Sequence, residues 1–74
     1  MDPKAWFRWG VADYVDEDSV PDEYKAEALA IVHELKYGKT TQGIPERMRA
    51  LAEHVADRVD KALLLKGAKE LEEM

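Results

Sequence analysis

Three prolines divide the 74-residue chain, and each stands where an α-helix can begin. Proline fits the first turn of a helix, because its missing amide hydrogen would have no partner there, but it disrupts a helix interior. Pro3 follows Asp2, a good N-cap residue. Pro21 is followed by the acidic pair Asp22 and Glu23, and Pro45 by Glu46, and acidic residues favour a helix N-terminus. The prolines therefore predict three helices, over about residues 3–15, 21–37 and 45–66.

The spacing of the apolar residues supports this division. In the second and third segments they recur at intervals of three and four, which places them on one side of a helix. No segment shows the alternation of a β-strand. The predicted inner residues are Tyr24, Ala28, Ile31 and Leu35 in the second helix, and Met48, Leu51, Ala52, Val55, Val59, Ala62 and Leu63 in the third. We predict an all-α fold, a small three-helix bundle with a long third helix, forming one domain over residues 1–74.

The ends of two helices depend on glycines and a serine. Gly38 is predicted as a left-handed C-cap of the second helix. Gly67 either ends the third helix or is tolerated at about 1 kcal/mol, in which case the helix continues to about residue 73. Ser19 is an alternative cap for the second helix, one residue before the proline start. The sequence leaves both choices open.

The short length and the absence of cysteine favour a binding partner. A composition of 46% hydrophobic and 36% charged residues is typical of a globular chain, but one this short buries only a small core. Small domains usually add a disulfide, a metal or a partner, and without cysteine there are no disulfides or thiolate metal sites. We therefore expect a partner: a second copy of the chain in a homodimer, a larger protein, or both.

The first helix carries aromatic residues on several sides. Trp6, Phe7 and Trp9 fall within four residues. Because each residue turns a helix by about 100°, Trp6 and Phe7 cannot share one narrow side with Val11 and Val15. Either the helix is packed between the other two and both tryptophans are core residues, or part of it faces a partner, where such residues dominate the binding energy.

A leucine run and an acidic turn complete the predicted partner-binding surface. Leu63, Leu64 and Leu65 cover about 200° of a helix, so at least one of them faces away from the core. The acidic residues after the first helix are expected to steer the chain towards a basic partner. The predicted contact residues are Trp6, Phe7, Trp9, Asp13, Asp16, Glu17, Asp18, Leu64 and Leu65.

The uneven charge suggests one alternative function. Residues 1–35 have a net charge of −6, residues 36–49 of +3 and residues 50–74 of −2, giving −5 in total. Residues 26–57 loosely match a helix-turn-helix, with Lys36, Lys39, Arg47 and Arg49 as candidate nucleic-acid contacts. However, the loop of about six residues exceeds the usual three or four, and DNA-binding domains are normally basic. We expect a protein partner in preference to a nucleic acid.

No motif indicates catalysis or a cofactor. His33 and His54 lack the Glu-x-x-His spacing of helical di-iron sites, and the acidic run 16–18 lacks the glycine and closing glutamate of a calcium loop. We expect a protein that is not an enzyme and holds no metal or cofactor. Its expected function is that of an interaction module: a regulator, adaptor or inhibitor.

The sequence also indicates a compartment. The longest apolar runs, 28–32 and 62–65, are far shorter than the roughly 20 residues of a membrane span. The N-terminal residues show no secretory signal. We therefore expect a cytoplasmic protein that is not inserted in a membrane.

Overall fold

A computed structural model describes residues 3–73 of the chain. Within this range the chain forms four α-helices and one short 3-10 turn, with no β-strand. The helices are α1 (Pro3–Ala12), α2 (Asp22–Tyr37), α3 (Ile44–Ala52) and α4 (Arg58–Glu72), and the 3-10 turn is Glu17–Ser19. The all-α prediction is confirmed. The predicted count of three helices is wrong for the described residues, because the third helix is divided in two.

All four helices contribute to one core. The predicted inner side of α2 is confirmed, since Ala28, Ile31 and Leu35 are fully buried and Tyr24 packs partly buried against them. The other buried apolar residues are Val11, Ala12, Val20, Ile44, Met48, Leu51, Ala52, Val55, Leu64, Ala68 and Leu71. Because the core uses one side of each helix, the opposite sides meet the solvent.

The first helix ends three residues earlier than predicted. The amide of Asp13 is shared between two carbonyls of the preceding turn, which tightens the chain at this point. Carboxylates are also unfavourable at a helix C-terminus, and both Asp13 and Asp16 follow Ala12 closely. The chain instead enters the 3-10 turn, which Asp16 caps by accepting a hydrogen bond from the amide of Asp18 at 3.0 Å.

The break between α3 and α4 is set by a cap. The carboxylate of Asp57 accepts hydrogen bonds from the amides of Val59 at 2.8 Å and Asp60 at 3.2 Å. Aspartate is a preferred N-cap because it satisfies amides that have no partner within the helix. Val55, in the connection, turns inward and is buried. The predicted continuous helix over 45–66 is therefore wrong, and α4 folds back on α3.

The core side of α4 differs from the predicted stripe. Val59 is 68% exposed and Ala62 is also exposed, although their spacing continues that of α3. The buried residues of α4 are Leu64, Gly67, Ala68 and Leu71. Since the helix runs on to Glu72, Gly67 is tolerated within it and does not end it.

Arg8 joins α1 to the end of α2. Its guanidinium Nη2 donates hydrogen bonds to the carbonyl oxygens of Glu34 at 2.7 Å and Gly38 at 2.6 Å. A cationic side chain stabilises a helix C-terminus, where the carbonyl dipoles point outward. Gly38 has φ −76° and ψ 163°, which is an extended conformation. The predicted left-handed cap is therefore wrong, and a side chain from another helix closes α2.

Candidate interaction site

The side of α1 that points away from the core carries two tryptophans. Trp6 is 65% exposed and Trp9 is 42% exposed, whereas Val11 and Ala12 are buried. Residues three apart lie on the same side of a helix, so both indoles face outward together. The alternative in which both tryptophans belong to the core is wrong.

Trp9 is held in place at the end of α2. Its Nε1 donates a hydrogen bond to the carbonyl oxygen of Lys36 at 3.3 Å, and the ammonium group of Lys36 lies 4.9 Å from the centre of the ring. Its ring also meets Tyr37 edge-on, with 5.9 Å between the ring centroids. Tyr37 is itself 66% exposed. We call Trp6, Trp9 and Tyr37 the aromatic face, a surface that combines residues of two helices.

Three predicted contact residues lie away from the aromatic face. Phe7 is 37% exposed, but it is turned by about 100° from Trp6 around α1. Leu64 is buried in the core, so its prediction as a contact residue is wrong, because it lies on the inner side of α4. Leu65 is the member of the leucine run that is exposed, at 42%.

The predicted acidic residues line an open groove between α1, the 3-10 turn and α2, with a volume of about 400 Å³. Its floor is apolar and is formed by Ala12, Val15, Leu29 and Val32, while Lys36 also lines it. Its rim carries the four predicted acidic residues, all of them exposed: Asp13, Asp16, Glu17 and Asp18. Among the described residues these carboxylates form no ion pair. We call this feature the acidic groove.

Sequence reasoning missed two residues of these surfaces. Leu29 is 53% exposed over the groove, and Tyr37 completes the aromatic face. Val32 and Lys36 follow Leu29 by three and seven residues, which is the spacing of one side of a helix. The sequence therefore indicates this second line of residues along α2. No comparable signal existed for Tyr37, because its position beside Trp9 depends on how α1 packs against α2.

The basic residues considered for nucleic-acid contact are largely engaged within the chain. Arg47 of α3 forms ion pairs with Glu27 and Glu34 of α2, and its Nε donates to Glu27 at 2.8 Å. The hydrogen bond to Glu27, followed by that to Glu34, raises the pKa of Arg47 above its usual value. This guanidinium therefore joins two helices and shares its charge with two carboxylates.

The other three candidate nucleic-acid contacts are dispersed. Arg49 pairs with Glu72 of α4, and Lys36 lies against the ring of Trp9. Lys39 is exposed in the loop between α2 and α3. A DNA-binding surface needs several available cations on one side of the molecule. These residues do not supply such a surface, because their charges are shared with other groups or stand apart.

The start of α3 also differs from a recognition helix. Such a helix contacts bases through the residues at its N-terminus. Here Ile44 and Pro45 open the helix and are both buried, and the next residue, the exposed Glu46, is acidic. Nothing in this geometry favours the helix-turn-helix alternative.

The histidines are engaged in aromatic contacts. His54 stacks on Tyr24 with 4.0 Å between ring centroids, and His33 lies 5.1 Å from the ring of Tyr37. Within residues 3–73, no three His, Cys, Asp or Glu side chains lie close enough together to hold a metal ion. In the same range, no helix is both long enough and apolar enough to cross a membrane.

Comparison with known proteins assigns no family to the chain. No protein-family model matches it, and no curated protein or solved structure matches it either. Its function is therefore inferred from the aromatic face, the acidic groove and the ion pairs described above.

Proposed function

We propose that this protein is a small non-catalytic interaction module that binds a larger protein through its aromatic face and acts as a regulator, adaptor or inhibitor. The observation that carries this proposal is the exposure of Trp6, 65%, on the side of α1 opposite the core. Burying a large apolar side chain yields roughly 1.5–3 kcal/mol. Because Trp6 is 65% exposed, the fold uses only a minor part of that free energy, and most of it is available for binding.

The composition and order of the aromatic face support this function. Tryptophan and tyrosine are the residues most enriched where binding energy is concentrated. Trp9 is already fixed by Lys36 and Tyr37, so a partner does not have to order this indole. Trp6 adds a second exposed indole on the same side of α1. A partner that covers all three rings gains apolar contact at a low cost in side-chain entropy.

The test is capture of partners from a lysate of the source cells by the full chain immobilised on a support. The informative variant is Trp6→Ser with Tyr37→Ser, because both side chains are exposed and neither is part of the core. Glu46→Ser with Glu53→Ser is the control, since both side chains are exposed at the two ends of α3, outside the aromatic face and the acidic groove. Circular dichroism verifies that each variant is folded.

We expect one protein or a few proteins to be retained by the native chain and by the control. The double variant is expected to retain them at least about tenfold less, since loss of one central aromatic contact costs about 2 kcal/mol. If the double variant retains the same proteins in the same amounts, the aromatic face is not the binding surface.

A further inference from the structure

The side of α4 opposite its core residues combines apolar side chains with positive charge. Val59 is 68% exposed, Leu65 is 42% exposed and Ala62 is exposed as well. Arg58 and Lys69 lie on the same side, within an arc of about 120° around the helix axis. Neither cation forms an ion pair with another described residue. We call these five residues the outer face of α4.

The acidic groove carries negative charge around an apolar centre, whereas the outer face of α4 carries positive charge around its own apolar residues. Leu29, which forms part of its floor, is 53% exposed, and the carboxylates on its rim form no ion pair with another described residue. Lys25 lies nearby but pairs with Asp22 at 3.0 Å. That carboxylate raises the pKa of Lys25, and Asp18 and Glu17 contribute less to the shift. The negative charge of the groove is thus only partly balanced by the chain itself.

We propose that the acidic groove binds the outer face of α4 of a second copy of this chain. Leu65 and Val59 of that copy cover the groove floor with its exposed Leu29, and Arg58 and Lys69 of that copy meet the carboxylates of the rim. Apolar contact supplies affinity, and the opposite charges set the orientation. The basic partner that the acidic turn attracts is therefore a second copy of the chain.

The positions of the two surfaces favour a closed pair. The hydroxyl of Ser19 in the 3-10 turn donates a hydrogen bond to the carboxylate of Asp60 in the first turn of α4. The rim of the groove and the start of α4 are therefore neighbours on one molecule. In a two-fold dimer each chain both inserts its α4 and receives that of its partner, so the same contact is made twice.

The area required for a stable dimer also favours this arrangement. A stable interface buries roughly 800 Å² on each chain. That is about a sixth of the 4964 Å² that the chain exposes. A two-fold pair uses the groove and the outer face of both copies, so each chain contributes two surfaces to the interface. The aromatic face takes no part in the contact and remains available to another protein.

The first test is the mass of the full chain in solution, measured by sedimentation equilibrium from micromolar to millimolar concentration. We expect the mass of two chains at the upper end, with a dissociation constant that rises about tenfold when the salt concentration is raised from about 0.05 to 0.5 M. A mass of one chain throughout overturns the proposal. A mass that keeps growing beyond two chains overturns the closed pair.

The second test exchanges the charges. Asp13→Lys with Glu17→Lys reverses the rim of the groove, and Arg58→Glu with Lys69→Glu reverses the outer face of α4. We expect each double variant alone to have the mass of one chain, and an equal mixture of the two to recover the mass of two chains. Glu46→Lys with Glu53→Lys reverses the same number of exposed charges outside both surfaces and is expected to leave the dimer intact.

Any of three results contradicts this mode of pairing: variants that remain dimeric, a mixture that stays monomeric, or a control that dissociates. All four chains are checked for folding by circular dichroism, so that unfolding is not mistaken for dissociation. The proposed function is tested separately by partner capture. A native chain that dimerises but captures nothing overturns the proposed function alone, and a monomer that captures a protein overturns the dimer alone.

Discussion

At the scale of single residues, Gly67 shows how packing can override local preference. A Cβ atom at this position would lie 2.9 Å from Cε of Met48, 3.1 Å from Cδ2 of Tyr14 and 3.2 Å from Cγ1 of Val11. These neighbours belong to α3, to the turn after α1 and to α1 itself. The sequence left open whether this glycine ends a helix. The reason for it is the close approach of distant segments, which no local pattern shows.

Replacing glycine by alanine is therefore predicted to have opposite effects at two positions. Gly67→Ala should lower the free energy of unfolding by about 1–2 kcal/mol, because Met48 can withdraw but the stiff side chain of Val11 cannot, and crowding outweighs the gain in helix propensity. Gly10→Ala should raise it by about 0.5–1 kcal/mol, because nothing lies within 4 Å of the added Cβ. Urea unfolding measures both changes, and equal effects of the two substitutions would show that the space around Gly67 is not tighter than that around Gly10.

At the scale of elements, the prolines predicted the starts of α1, α2 and α3 correctly to within one residue. The sequence did not reveal the start of α4, because the apolar spacing from Met48 to Val59 stays in helical register across the break. The available signal was Asp57, a good N-cap residue, but within a periodic stretch it reads equally well as an exposed helix residue. Tertiary packing decides between these two interpretations.

The start of α4 is held by the Asp57 cap. Asp57→Ala should lower the free energy of unfolding by about 1 kcal/mol, because the amides of Val59 and Asp60 lose their acceptor. Asp57→Asn is the matched control and should cost only a few tenths of that, since asparagine caps equally well. Thermal or urea unfolding provides the measurement. A loss in the alanine variant no larger than in the asparagine variant would show that the cap does not hold α4 in place.

At the scale of the whole molecule, the predicted contact residues separate into three groups. Composition was enough to locate the acidic turn, and the structure places all four of its carboxylates on one groove. The aromatic cluster was also visible in the sequence, but whether Trp6 and Trp9 face the core or the solvent depends on the packing of α1. The prediction of Leu64 as a contact residue is wrong because the break at residues 53–57 changes which side of α4 faces the core. Sequence patterns thus located the unusual segments, and tertiary packing determined which way they face.

In the proposed function, the aromatic face serves binding and not folding. The most direct measurement is the free energy of unfolding of Trp6→Ala, determined by urea unfolding at low chain concentration. With Trp6 65% exposed and opposite the core, we predict a loss below about 1 kcal/mol, as for a surface substitution. A loss of about 3 kcal/mol or more, the cost of truncating a buried tryptophan, would place this indole in the core and contradict the proposed function.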